Sequence, residues 1–304
     1  MGHLTLSFFG TFEAKLGSET LTRFRSAKVQ GLLIYLVLTA DKTHTRDGLA
    51  TLFWPEEPET TAKQNLRQSL FRLRKVLGDD DLGGEQPYLF ITRSTVQFNT
   101  AASYSLDVAD FLAALATGDL QTATSTSLVR AVSLYPGDLL PSFSCDSLLF
   151  DDWLRQERER LHQLALDALF QWTTHLLARA EFQQAQRVAQ QQLILEPWRE
   201  EAHRQLMQAL FLAGQRTAAL AQYETCCTLL AEELGVDPTP ETEQLAAQIR
   251  AAYAKPVAQL KSDSALGREQ LTIPFVGRKA EFQALTNAYQ RVRQGGTFQV
   301  VSVV

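Results

Sequence analysis

Between Thr60 and Gly78 the chain carries five cations, Lys63, Arg67, Arg72, Arg74 and Lys75, and no acid. Gln64, Gln68 and Phe71 are interleaved with them. Read at helical spacing, Ala62, Leu66, Leu70, Leu73 and Leu77 fall on one stripe, which leaves the cations and amides facing away from it. Duplex DNA asks for this combination: cations to meet phosphates, and planar polar groups to meet base edges. Arginine bonds guanine through two hydrogen bonds, and glutamine bonds adenine in the same way. Arg67, Gln68 and Arg72 are therefore the base-reading candidates, with Lys63, Arg74 and Lys75 as phosphate contacts. Phe71 has two roles open to it, contact with a thymine methyl or packing inside the domain. Further on, Arg93 stands at the centre of a short β-rich stretch, where it would reach a neighbouring minor groove or phosphate. The plainer alternative is a solvated face of ordinary charges, and the surrounding elements decide between the two.

Those elements favour DNA. LTLSFFG (4–10) and TFEAKL (11–16) alternate like strands, and Gly17-Ser18 marks a turn. A helix follows over about 26–39, with Ser26 as its cap and Val29, Leu32, Leu33, Leu36 and Val37 on one face. Thr45 opens a shorter helix carrying Leu49, Leu52 and Phe53, which ends before Pro55. The cationic helix spans about 60–77 and is stopped by Gly78 and the acids after it. PYLFITRSTVQFN (87–99) then reads as a hairpin turning at Arg93-Ser94-Thr95. Strands, three helices and a hairpin, in that order, make a winged helix-turn-helix.

From about 104 to 254 the pattern is almost wholly helical. LLARAEFQQAQ (176–186) matches LFLAGQRTAAL (210–220) at an offset of 34 residues, pairing Ala185 with Ala219; Ala168/Ala202 and Trp172/Leu206 add to the match. That period belongs to tetratricopeptide helix pairs. The fold class is mainly α: a response-regulator type winged helix (1–100), then an all-α tetratricopeptide-like domain (104–254). Residues 255–273 lose apolar periodicity and read as a linker. Residues 274–304 end in an apolar strand, the expected start of a further nucleotide-binding domain.

Net charge, −5 over 304 residues, argues against nucleic acid only until it is divided. Residues 1–100 hold 12 basic and 11 acidic residues, whereas residues 101–304 hold 17 and 23. The acidic body would limit nonspecific DNA binding and orient the basic face. Cys145, Cys226 and Cys227 have no CxxC spacing, so neither a disulfide framework nor a zinc site is expected, and a reducing cytoplasm fits. His3, His44, His162, His175 and His203 show no metal-ligand spacing, and no nucleophile elbow is present. Asp151-Asp152 and Glu232-Glu233 read as helix-end or solvated charges. Cys226-Cys227 are expected to pack within the repeat, and Trp153, Trp172 and Trp198 to act as core or inter-repeat anchors, with Trp198, directly after Pro197, open to a second role as an exposed partner contact. Neither a membrane span nor a secretory signal is legible. The chain is expected not to be an enzyme, and to carry no catalytic residue, metal or cofactor.

The segments LATLFWPEEPETTAKQNL (49–66) and RLRKVL (72–77), with the hairpin after them, resemble the winged helices of response regulators. They resemble more closely those of the SARP-type (antibiotic regulatory protein-like) activators. SLYPGDLLPSF (133–143), WLRQERERLH (153–162), LEPWREEAHRQLMQALFLAGQRTAALAQYETC (195–226) and LAEELGVDPTPE (230–241) are similar to that family's bacterial transcriptional activation domain. The resemblance covers roughly residues 4–254. It implies a sequence-specific activator that binds repeated half-sites in double-stranded promoter DNA as a head-to-tail pair and recruits RNA polymerase. It also implies DNA contact by Gln64, Arg67, Gln68, Phe71, Arg72 and Arg74, with Arg93 in the wing. At the wing the chain departs from the family: Ser94-Thr95-Val96-Gln97 replace the usual Gly-Tyr and leave the hairpin geometry open. FVGRKAEF (275–282) and FQVVSVV (298–304) resemble the start of a STAND-type ATPase domain, whose P-loop would follow next. No GxxxxGK[ST] is present, so these residues are not expected to hydrolyse ATP. In a longer protein Val276, Gly277 and Arg278 would lie near the adenine by analogy. Two other readings remain: a tetratricopeptide-type interaction module, and the regulatory half of a nucleotide-switch ATPase.

Overall fold

Ser26 and Thr45 do the local work of starting the first two helices. Ser26 is extended, and its hydroxyl accepts from the Val29 N–H at 3.4 Å, opening α1 (Ala27–Leu38). Thr45 accepts from the Gly48 N–H at 3.1 Å, opening α2 (Arg46–Phe53). Each cap satisfies a backbone donor that the first helical turn leaves orphaned. Trp54 to Pro58 make the turn into α3 (Glu59–Leu77), which ends on Gly78 in the left-handed conformation, φ 70°. The computed structural model describes residues 2–79, 87–116 and 125–252. The expected linker at 255–273 and the expected nucleotide-binding start at 274–304, with Val276, Gly277 and Arg278, lie outside the described residues.

Two small sheets flank the three helices. β1 (Leu4–Ser7), β2 (Glu13–Leu16) and β3 (Glu19–Thr20) form an antiparallel meander. β4 (His44–Thr45), β5 (Leu89–Ile91) and β6 (Thr95–Phe98) form the wing sheet, in the order β4-β6-β5. β7 (Tyr104–Leu106) pairs parallel with β1, Leu4 opposite Tyr104 and Leu6 opposite Leu106. It lies in the stretch read as helical, because three residues are too few for periodicity to register. Sequence order puts β7 with the second half, and its hydrogen bonds put it in the first half's sheet.

The helical half follows directly. α4 (Asp107–Leu115) and α5 (Ser125–Leu134) lead to the 31-residue α6 (Leu148–Ala178). α7 (Phe182–Leu195), α8 (Glu200–Leu212) and α9 (Arg216–Leu229) then pack each on the one before. One π-helical turn (Leu230–Leu234) precedes α10 (Pro240–Ala251). The 34-residue period is real in packing terms: Ala185 and Ala219, and Ala168 and Ala202, are all fully buried. Small residues at those positions let consecutive helices approach closely. The core includes His203, whose Nε2 lies 2.8 Å from the Pro197 carbonyl and whose Nδ1 lies 2.7 Å from Gln222 Nε2. Cys226 is buried and Cys227 partly so. Trp172 is buried, Trp153 packs against the core, and Trp198 stays 42% exposed.

One hydrophobic cluster spans both halves, from Leu4 and Phe8 through Phe53 and Phe111 to Phe150 and Ala209. The joint is aromatic. Phe53 lies 5.1 Å from Phe150, Tyr35 4.6 Å from Trp153, and Phe9 4.9 Å from Tyr135. The YPGDLL stretch adds backbone bonds, Gly10 N–H to the Asp138 carbonyl at 2.8 Å and Leu140 N–H to the Phe8 carbonyl at 2.9 Å. The winged helix is thus braced by the helices that follow it.

Candidate nucleic-acid interface

α3 buries Ala62, Leu66, Leu70, Leu73 and Leu77, the stripe expected from spacing, and also Ser69. Gln64, Arg67, Gln68, Phe71, Arg72 and Lys75 are exposed. Phe71 is 65% exposed, which removes interior packing as its role. Its 19 residues make a rod of about 28 Å, long enough to cross a major groove.

The other two cations of α3 are engaged within the domain. Lys63 Nζ sits 2.6 Å from Glu59 on its own helix and 3.0 Å from Asp47 on α2. Hydrogen bonds to Glu59 first and Asp47 second raise its pKa. Arg74 is half-buried and donates to the Asp79 carbonyl at 2.6 Å. By contrast, Arg67, Arg72 and Lys75 make no ion pair among the described residues.

Asp79, expected as a helix-stopping charge, is buried at 1% exposure. Its carboxylate accepts from the Tyr88 N–H and the Leu89 N–H, both at 3.0 Å. Tyr88 is itself buried, and its hydroxyl donates to the Gly2 carbonyl. One side chain thus ties the end of the cationic helix to the start of β5 in the wing.

The wing tip is closed without glycine. Thr92 Oγ1 accepts from the Thr95 N–H at 2.9 Å and the Ser94 N–H at 3.2 Å. Such a hydroxyl stands in for a backbone turn acceptor. Arg46 ties the tip to α2 through its N–H to the Ser94 carbonyl and its guanidinium to the Thr92 carbonyl. Arg93 stands exposed at that tip.

Beside α3 lies a groove of about 890 Å³. One wall is Arg67, Gln68, Phe71, Arg72 and Lys75; the other is the segment from Glu19 to Arg25. Arg23 and Arg25 are exposed there, on either side of buried Phe24. Sequence reading missed both arginines. The available signal was a cation-Phe-cation triplet just before a helix cap, but it lies 34 positions ahead of the start of α3. Lys63, Gln64, Arg74 and Arg93 do not line this groove.

The bacterial transcriptional activator domain model matches residues 104–250. The regulatory protein AfsR of Streptomyces griseus is 30% identical over 251 residues, covering 81% of this chain and 24% of AfsR. AfsR of Streptomyces coelicolor is 30% identical over 271 residues, covering 87% and 26%. The chain belongs to the SARP-type transcriptional regulators. It spans about a quarter of the length of these AfsR relatives. Among solved structures, Mycobacterium tuberculosis EmbR in complex with a low affinity phosphopeptide superposes with a TM-score of 0.65. That match has 22% identity and covers 83% of this chain and 66% of EmbR, so the likeness is one of fold. In this SARP-type chain no group of His, Cys, Asp or Glu among the described residues is arranged to hold a metal ion. Nor is any described helix long and apolar enough to cross a membrane.

Proposed function

We propose that this chain is a sequence-specific, DNA-binding transcriptional activator that sets α3 in the major groove. The observation that carries the reading is the outward face of α3. Arg67, Gln68, Phe71, Arg72 and Lys75 are exposed together there, and the three cations among them are unpaired within the described residues. Arg67, Gln68 and Arg72 are assigned to base edges, Phe71 to a thymine methyl, and Lys75 to phosphate. Gln64 reaches the same strand of DNA one turn earlier on the helix. Lys63 and Arg74 orient α3 rather than grip phosphate, because their nearest partners belong to the protein. Arg93 contacts phosphate or the minor groove beside the wing.

The family supports the rest of the proposal: binding to repeated half-sites as a tandem pair, recruitment of RNA polymerase, and action in the cytoplasm without enzymatic activity. Any role for ATP belongs to a longer protein. The test is selection of genomic DNA fragments on the purified chain, with an Arg67→Ala/Gln68→Ala variant in parallel. A repeated motif from the parent, lost or altered in the variant, is the expected result; each lost bidentate contact should cost about 1–3 kcal/mol of base discrimination. Absence of any motif, with binding indifferent to salt, would favour a protein-interaction module instead.

A further inference from the structure

Arg23 and Arg25 sit on the wall of the groove that faces α3, and nothing in the composition of that wall requires cations. Phe24 between them is 2% exposed, with its ring edge-on to Phe12 at 5.3 Å. That anchor fixes both neighbours at the surface. Arg25 has φ 60°, a conformation that non-glycine residues rarely adopt. Ser26 N–H donates to the Phe24 carbonyl at 2.8 Å, so Arg25 is the apex of a three-residue turn. The turn runs directly into the cap of α1. Strain of this kind persists where the surroundings over-determine it, and it clusters at ligand clamps.

We infer that Arg23 and Arg25 form the second jaw of a phosphate clamp, and that Lys75 of α3 forms the first. The occupant is one sugar-phosphate strand of duplex DNA, the strand bordering the major groove that α3 enters. Charge argues for it. The groove presents Arg23, Arg25, Arg67, Arg72 and Lys75 against a single acid, Glu19, and none of the five cations is ion-paired among the described residues. Guanidinium groups suit phosphate because they bond it through two parallel N–H groups. The two jaws divide the labour: α3 reads sequence, while the jaw before α1 reads only backbone and holds α3 in register.

The inference rests on the DNA-binding reading, so the experiment separates the two. An Arg23→Gln/Arg25→Asn variant of the full chain is compared with the parent on the duplex that the parent selects, across a potassium chloride series. Asparagine tolerates positive φ, so the turn is kept. Each phosphate neutralised adds about 0.9 to the log–log salt slope, so the slope should become shallower by about two. The selected motif and the melting temperature should not change. If the melting temperature drops, Arg23→Gln alone replaces the pair, with an expected change of about one. An unchanged slope on a bound motif overturns the clamp and leaves the DNA reading standing. An altered motif overturns the backbone-only role. A parent chain that selects no motif overturns both together.

Discussion

Charge on α3 is not uniform in what it can do, because partners differ from residue to residue. Lys63 is held by Glu59 and Asp47, whereas Lys75 stands exposed at the groove. Replacing Lys75 with Ala should make the salt dependence of DNA affinity shallower by about one on the log–log scale, while Lys63→Ala should leave it nearly unchanged. Equal effects in an anisotropy titration would sink this distinction. Asp79 acts on the wing rather than on DNA. In Asp79→Ala, the Tyr88 and Leu89 N–H groups lose a buried acceptor, at about 1–3 kcal/mol for each donor left unsatisfied. Chemical denaturation should register the loss, and amide exchange at Tyr88 and Leu89 should quicken. The stripe and the cations of α3 were legible in the sequence because a single helix displays its own periodicity. The engagement of Lys63 by Asp47 and of Arg74 by the Asp79 carbonyl was not, since the first partner comes from another helix and the second from beyond the helix end.

At the scale of elements, the stretch from Tyr135 to Phe143 is the joint between the halves. Leu140 adopts φ 44° while its N–H reaches the Phe8 carbonyl. Arg158 of α6 holds this conformation by donating to the carbonyls of Leu139 at 2.7 Å, Leu140, and Phe143 at 3.2 Å. Beside it, Asp138 accepts from the Tyr135 hydroxyl at 2.7 Å and lies 2.8 Å from His162 Nδ1. Burial pushes the Asp138 pKa up, but the hydrogen bonds from Tyr135 and His162, together with the nearby charges of His162 and Arg158, bring it down on balance. Arg158→Met keeps the aliphatic stem and removes the donors. It should lower stability by at least about 2 kcal/mol, since hydrogen bonds to charged groups contribute about 1.5–3 kcal/mol each. A melting temperature equal to the parent's would show that the clamp is dispensable. The segment was recognisable from its residues as a family signature. Its mechanical role was not, because the groups that join it to the rest of the molecule, Phe8, Gly10, Arg158 and His162, lie on other elements.

At the scale of the whole molecule, the two halves share one core, so damage in either should unfold both. Phe150 is fully buried on α6, yet it packs on Phe53 of the winged helix. Phe150→Ala should cost about 3–5 kcal/mol. Calorimetry should show a single transition moved down; two separate transitions would show that the halves melt independently. Stability should also depend on pH with a definite sign. Burial lowers the pKa of His203, and of His44, below the ordinary imidazole value. The unfolded chain takes up protons near pH 6.5 while the folded chain resists them, so stability declines as pH falls through that region. The melting temperature should hold near about pH 7.5 and drop towards about pH 5.5, less steeply in His203→Gln. A rise on acidification would contradict the burial of these imidazoles.

By itself the sequence determined the elements that carry their own signal. The helices show in apolar spacing, the caps in Ser26 and Thr45, and the 34-residue repeat in its alanines. The recognition face shows in cations opposite a leucine stripe. Each of these rests on interactions within about one helical turn or one repeat. Tertiary structure alone decided which cations of α3 are engaged within the domain, how a wing without glycine closes, and that Tyr104–Leu106 completes the first sheet. It also placed Arg23 and Arg25 across a groove from Arg72 and Lys75. Those outcomes depend on groups brought together from distant parts of the chain, and neither charge nor periodicity along a sequence encodes which of them will meet.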